Sequence, residues 1–307
     1  MEIVSRVSKL MGNRFVISVS ANNNAEGFMF IDAAETEIKR IEALFTTFSD
    51  ASVTSQINEN AGIKPLIVPA EVFDLIQRAQ KISELTDGAF DLSYGSIDKR
   101  FWNFDQTMTS LPDATAAQKA VHLINYKNIV LDETQRTVFL KNKGMRIGFG
   151  GIGKGYAADQ AKKILQELDV KSGVINASGD LNTWGEHPQN GPWTISLAHP
   201  DSPLKSFSTM QLNNMAVATS GNYEKYVTIA GQKYSHTINP KTGFPIQGIK
   251  SVSVICPIAE LADALATPIS IMGVGAGIHL VDQMHGVACV IIDDQNKMYH
   301  SKNINLT

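Results

Sequence analysis

Four strand-like segments follow one another in the second half of this chain, and no helix-length segment separates them. They are Val174–Ala177, Trp193–Ala198, Phe207–Leu212 and Met215–Thr219, with the tight-turn pair Asn213-Asn214 predicted to join the last two as a hairpin. Helices and strands therefore do not alternate strictly, and the expected class is α+β, with mixed, largely antiparallel sheets and packed helices. Further strands are expected at Arg14–Ala21, Asn128–Leu131, Thr137–Lys141, Val252–Ile255 and Val287–Ile292. The apolar positions Ile31, Ala34, Ile38, Ile41, Phe45 and Phe48 keep 3–4 spacing, which predicts a helix whose stripe is core. Pro69 suits the first turn of a second helix running to Leu85, and Asp113–Ile124 and Gly155–Leu168 read as two more. With no internal repeat and no Pro/Gly/Ser-rich linker, residues 1–307 read as one domain with room for two lobes.

Charge and composition exclude several functions. The 27 basic residues are scattered among 30 acidic ones for a net charge of −3, so nucleic acid is not an expected partner. No apolar run approaches the roughly 20 residues of a membrane span. The first residues, MEIVSRVSKLMGNRF, lack the apolar stretch of a signal peptide, so the chain as written reads as cytoplasmic unless an export segment has been removed. Cys256 and Cys289 sit in apolar, β-branched surroundings and read as small buried hydrophobes.

The densest run of glycines, RIGFGGIGKGYAAD (Arg146–Asp159), fits two nucleotide-binding patterns imperfectly. Gly148, Gly150 and Gly153 spell G-x-G-x-x-G, but the lead-in FLKNKGMRIG is a polar turn and not a buried parallel strand. Gly148, Gly153 and Lys154 spell G-x-x-x-x-G-K, but Gly155 replaces the Ser or Thr that would hold Mg²⁺. A glycine loop opening a helix nevertheless offers N–H groups to a phosphate, and Lys154 adds positive charge.

LADALATPISIM (Leu261–Met272) reads as a helix from its Ala and Leu content. Asp263 and Thr267 lie four apart and so share one face, where a carboxylate and a hydroxyl suit a hard cation such as Mg²⁺ or Ca²⁺. Taken alone, the pair is better read as a helix cap at Asp263 and a packing contact at Thr267. The segment after Gly88-Ala89-Phe90-Asp91 gathers Tyr94, Gly95, Phe101, Trp102 and Phe104, which reads as a packed loop or, less often, a ring-binding wall. Asp91 there suits a turn cap as well as a ligand contact. Ser220 in Thr219-Ser220-Gly221-Asn222 has no Ser-His-Asp spacing to support a nucleophile's role.

Taken in order, the stretches LMGNRF, FSDASVTSQIN, TDGAFD, GGIGKGYAAD, NASGDL, VATSGNYEKY, HTINPKTGFP and ADALAT resemble the ApbE family of FAD:protein FMN transferases across nearly the whole chain. The resemblance implies an enzyme that binds FAD and Mg²⁺ and transfers FMN to a Thr side chain of an acceptor flavoprotein through a phosphoester, releasing AMP. It makes Asp263 and Thr267 metal-binding side chains and gives Gly151 a backbone carbonyl on the metal. Met11, Gly88, Ala89, Phe90, Asp91, Lys154 and Thr237 become flavin- or adenine-contacting positions, and His236 the catalytic histidine. Where the family commonly carries Tyr and Asp, this chain has Ala51 and Gly148; Asn239 and Lys241 replace a frequent Asp and Arg. Pro268 is expected to kink the metal-site helix. Two other activities share these residues: a Mg²⁺-dependent FAD pyrophosphatase, in which water replaces the Thr, and a non-catalytic FAD carrier.

Overall fold

In the computed structural model, residues 1–98, 110–199, 202–221, 226–229 and 231–304 are described; Phe101, Trp102, Phe104 and Asn222 lie outside them. The chain opens with the hairpin β1 (Glu2–Leu10) and β2 (Asn13–Ala21), then α1 (Asn24–Phe45) and α2 (Val53–Glu59). Next come β3 (Leu66–Ile67), α3 (Ala70–Leu85), α4 (Ala114–Val121), β4 (Ile129–Asp132), β5 (Thr137–Leu140) and α5 (Gly153–Glu167). A run of strands follows: β6 (Gly173–Ala177), β7 (Asp180–Trp184), β8 (Trp193–His199), β9 (Ser202–Leu212), β10 (Ala216–Gly221), β11 (Tyr226–Ile229), β12 (Gln232–Ser235) and β13 (Ile249–Cys256). The chain closes with α6 (Ala259–Met272), α7 (Val274–Val281), β14 (Ala288–Asp293) and β15 (Met298–His300).

Eight strands form one sheet in the order β1-β2-β6-β7-β10-β13-β14-β15, every neighbouring pair antiparallel. The α+β expectation is met. Because side chains alternate across a strand, β13 and β14 feed two apolar layers at once. Val252, Val254, Cys256, Cys289 and Ile291 enter the main core with α1, α5 and α6, while Ile255, Ala288 and Val290 enter a second cluster. Trp193, Ile195 and Leu212 of the β8–β9 hairpin complete that second layer. Both cysteines are free and buried.

Two expectations are corrected. Phe48 is 97% exposed, not core. α1 ends at Phe45, and a turn closed by Ser52 Oγ donating to Thr46 O (2.6 Å) breaks the periodicity that would have aimed Phe48 inward. Asn213-Asn214 does not close a hairpin either. β9 pairs with β8, β10 pairs with β7 and β13, and the Asn pair passes the chain from one layer to the other, Asn214 accepting a hydrogen bond from Gly185 N (3.3 Å).

Candidate active site

The site is built where α5 crosses α6. Gly155 is packed so tightly that a Cβ there would lie 2.2 Å from the carbonyl oxygen of Ala259, so only glycine lets the helices meet. This is the physical reason the phosphate-loop pattern fails at its last position. Gly155 N donates to Asp263 Oδ2 (3.0 Å), and Lys154 Nζ lies 3.2 Å from Asp263 Oδ1 while also pairing with Asp180. The anion at the start of α5 is thus a carboxylate of the protein, and the Lys154 ammonium, expected to meet a phosphate, is held between two carboxylates. Burial works against the Lys154 charge, but attraction to Asp263 and Asp180 outweighs it and holds the ammonium's pKa above its ordinary value. Burial, reinforced by Asp263, pushes the Asp180 carboxyl up, with Lys154 opposing.

Lower on α5, Asp159 reaches the start of α6. Its oxygens accept from Ala259 N (3.1 Å) and Glu260 N (2.8 Å), supplying the cap that Ile258 cannot give. α6 runs on through Pro268 to Met272. Asp263 is therefore positioned by three residues of α5, and Thr267 stands one turn beyond it, donating to Ser220 Oγ (3.3 Å).

Above this junction opens a cleft of roughly 370 Å³ with a mostly apolar wall, of the kind that takes a small-molecule ring. It brings together Ala89, Phe90, Asp91, Gly151, His236, Thr237 and Thr267. Asp91 is spent on the wall's own shape: Oδ1 accepts from Ser93 N (2.7 Å) and Ser93 Oγ (2.6 Å), Oδ2 from Tyr126 N (2.7 Å). Burial raises its pKa and these bonds oppose the rise. Tyr94 accepts from Ile238 N (2.9 Å) and so ties this wall to the His236 segment, its hydroxyl pushed up to about 12 by burial. Lys241 and Asp87 pair across the same two segments. His236 is exposed, Thr237 buried.

The model of the ApbE family matches residues 11–291. The chain belongs to the ApbE family. It is 30% identical over 292 residues to a protein of Klebsiella pneumoniae named FAD:protein FMN transferase, covering 94% of this chain and 89% of that one. A relative of the same name from Haemophilus influenzae is 24% identical over 305 residues, 96% and 88% of the two chains. Among solved structures, the ApbE protein of Thermotoga maritima superposes with a TM-score of 0.88 at 30% identity, over 98% of this chain and 97% of that one. The Pseudomonas stutzeri flavinyl transferase ApbE, at 23% identity and a TM-score of 0.85 over 98% and 95%, shares the fold.

Most of the remaining ApbE positions surround the cleft without lining it. Met11, at φ 50°, donates its N–H to Glu42 Oε2 (2.9 Å) and rests its methyl over Gly153. Gly88, at φ 76°, turns the chain into the cleft wall. In the ApbE stretch FSDASVTSQIN, Ser52 caps α2 through Ser55 N (3.0 Å), and buried Asn58 bonds Ile147 twice: Nδ2 to its carbonyl (3.0 Å), Oδ1 from its N–H (2.7 Å). That clamp fixes the segment leading into the glycine loop. Asn58, Asp159 and Asp180 are residues that sequence reasoning left without a role, and Tyr94 was read only as part of a packed loop or ring-binding wall. All but Tyr94 lie within stretches that carry the ApbE resemblance, and that was the signal for them.

The donors fit a small hard cation. Among the described residues no three His, Cys, Asp or Glu side chains gather as a cage. One carboxylate, one hydroxyl whose proton is already given to Ser220, and a loop carbonyl at Gly151 are hard oxygen donors of the kind that a cation such as Mg²⁺ takes.

Proposed function

We propose that this chain transfers FMN from FAD to a threonine of an acceptor flavoprotein, with Mg²⁺ as its bound cation. One observation carries the reading: α6 sets Asp263 and Thr267 one turn apart, and Thr267 shares a cleft with Gly151 and His236. The FAD:protein FMN transferase name borne by the relatives supports the donor and the transferred group.

Asp263, Thr267 and the Gly151 carbonyl would hold the metal, which supplies Lewis-acid neutralisation of the pyrophosphate charge when bound. The protein supplies position and a base. The Ala89–Asp91 wall holds the flavin ring beside the metal ligands, and Tyr94 ties that wall to the His236 segment. His236 takes the proton of the incoming Thr hydroxyl. The hydroxyl oxygen bonds the FMN phosphorus as the bond from that phosphorus to the AMP phosphate's bridging oxygen breaks, and AMP leaves.

The test is incubation with FAD, Mg²⁺ and a candidate acceptor, read by intact mass and AMP release. The expected result is an acceptor heavier by FMN less one water, with one AMP per transfer. AMP released equally without any acceptor makes the chain a pyrophosphatase; bound FAD with no AMP makes it a carrier. Either outcome overturns the proposal.

A further inference from the structure

Asp263 has little carboxylate to spare. Its Oδ2 is taken by Gly155 N, and the contact on Oδ1 is the Lys154 ammonium, 3.2 Å away. A cation arriving at Oδ1 competes with that ammonium for one oxygen. The closer partner of Lys154 is Asp180, the first residue of β7. Asp180 is held on a tight turn: Ser178 and Gly179 adopt φ 58° and 101°, Gly179 N donates to Asn176 Oδ1 (2.8 Å), and Thr219 N donates to Asp180 Oδ1 (3.3 Å). Among the described residues no hydrogen bond joins this turn to Asp263; the two carboxylates repel each other and share the Lys154 ammonium between them.

We propose that Asp180 is a positioning residue that takes the closer share of the Lys154 ammonium and so loosens its hold on Asp263 Oδ1, where a divalent cation can displace it. The inference rests on the metal reading given above. A buried ammonium deprived of one of two carboxylates settles fully on the other. Removing Asp180 therefore makes Lys154 a stronger competitor of the metal, and removing Lys154 as well abolishes the competition.

The experiment measures Mn²⁺ binding by electron paramagnetic resonance of the free ion, a probe that takes the same hard oxygen ligands as Mg²⁺. Wild type, Asp180→Asn, Lys154→Met and the double variant are compared, with thermal melting alongside. Asp180→Asn is expected to bind Mn²⁺ about tenfold more weakly, the scale of one charge-assisted contact. The double variant should return to within about threefold of wild type, and Lys154→Met should bind at least as tightly as wild type. A structural role for Asp180 predicts no recovery in the double variant, and that result overturns the proposal. Unchanged binding by Asp180→Asn overturns it as well. Should Asp180→Asn fail to fold, Lys154→Met decides alone, weaker binding being the overturning result. No Mn²⁺ binding by wild type overturns the metal reading and the inference with it.

Discussion

Gly155 gives its backbone N–H to Oδ2 of Asp263 at 3.0 Å, so the start of one helix fixes a carboxylate on another. Gly155→Ala tests how closely the helices are matched. Alanine is favoured over glycine in a helix by about 1 kcal/mol, but here its Cβ meets a backbone carbonyl that no side-chain rotation can move. We expect net destabilisation of roughly 1–3 kcal/mol by denaturant unfolding. A variant as stable as the parent would show that the helices separate freely.

Asp263→Asn removes the anion while keeping an oxygen that can accept from Gly155 N. The variant is expected to melt cooperatively and, with FAD, Mg²⁺ and the acceptor present, to release no AMP. Chelating the metal from wild type should give the same loss. AMP release at the parental rate would remove Asp263 from the metal site.

His236→Ala is expected to slow transfer by roughly 10²- to 10⁴-fold, the usual worth of general acid–base catalysis, with FAD affinity nearly unchanged. If His236 instead braces its segment, affinity and rate fall together. A single-turnover rate and an FAD dissociation constant on one preparation separate the two cases.

Asn58→Ala breaks both bonds to Ile147 and leaves that residue's N–H and carbonyl buried without them. The expected cost is about 1–3 kcal/mol for each stranded group. FAD binding should weaken too, because the glycine loop loses its anchor. Calorimetric titration with FAD, at a temperature where the variant stays folded, checks this. Unchanged affinity would show that the loop is held elsewhere.

Periodicity and turn chemistry made the strands and long helices legible: β2, α1, α3, α5, β13 and β14 are where alternation and 3–4 spacing put them. Phe48 escaped because periodicity cannot report where a helix stops. The Asn213-Asn214 connection escaped because a turn signal says that the chain reverses, not which sheet it enters. At the site, residue identities were legible through their motifs, but the partners were not. Lys154 carries the positive charge the glycine loop suggested, yet its counterions come from residues 26 and 109 positions away. Asn58 acts on a segment 89 positions away. Such pairings are written in no local pattern.

The segment carrying His236 does not share the main core. Ile238 and Phe244 pack with Ala117, Ala120 and Val121 of α4 in a small apolar cluster of their own. The segment is held by contacts that include a few apolar side chains, the Tyr94 bond and the Lys241–Asp87 pair, whereas β13, just downstream, is sealed between two layers. Amide exchange should divide the chain there, the 236–246 amides opening in local fluctuations and those of β13 only when the molecule unfolds. A protein substrate, unlike a free nucleotide, must bring a folded neighbourhood with its side chain. The histidine thus rides on a part of the wall that can yield to a visitor while the helix carrying Asp263 and Thr267 stays still.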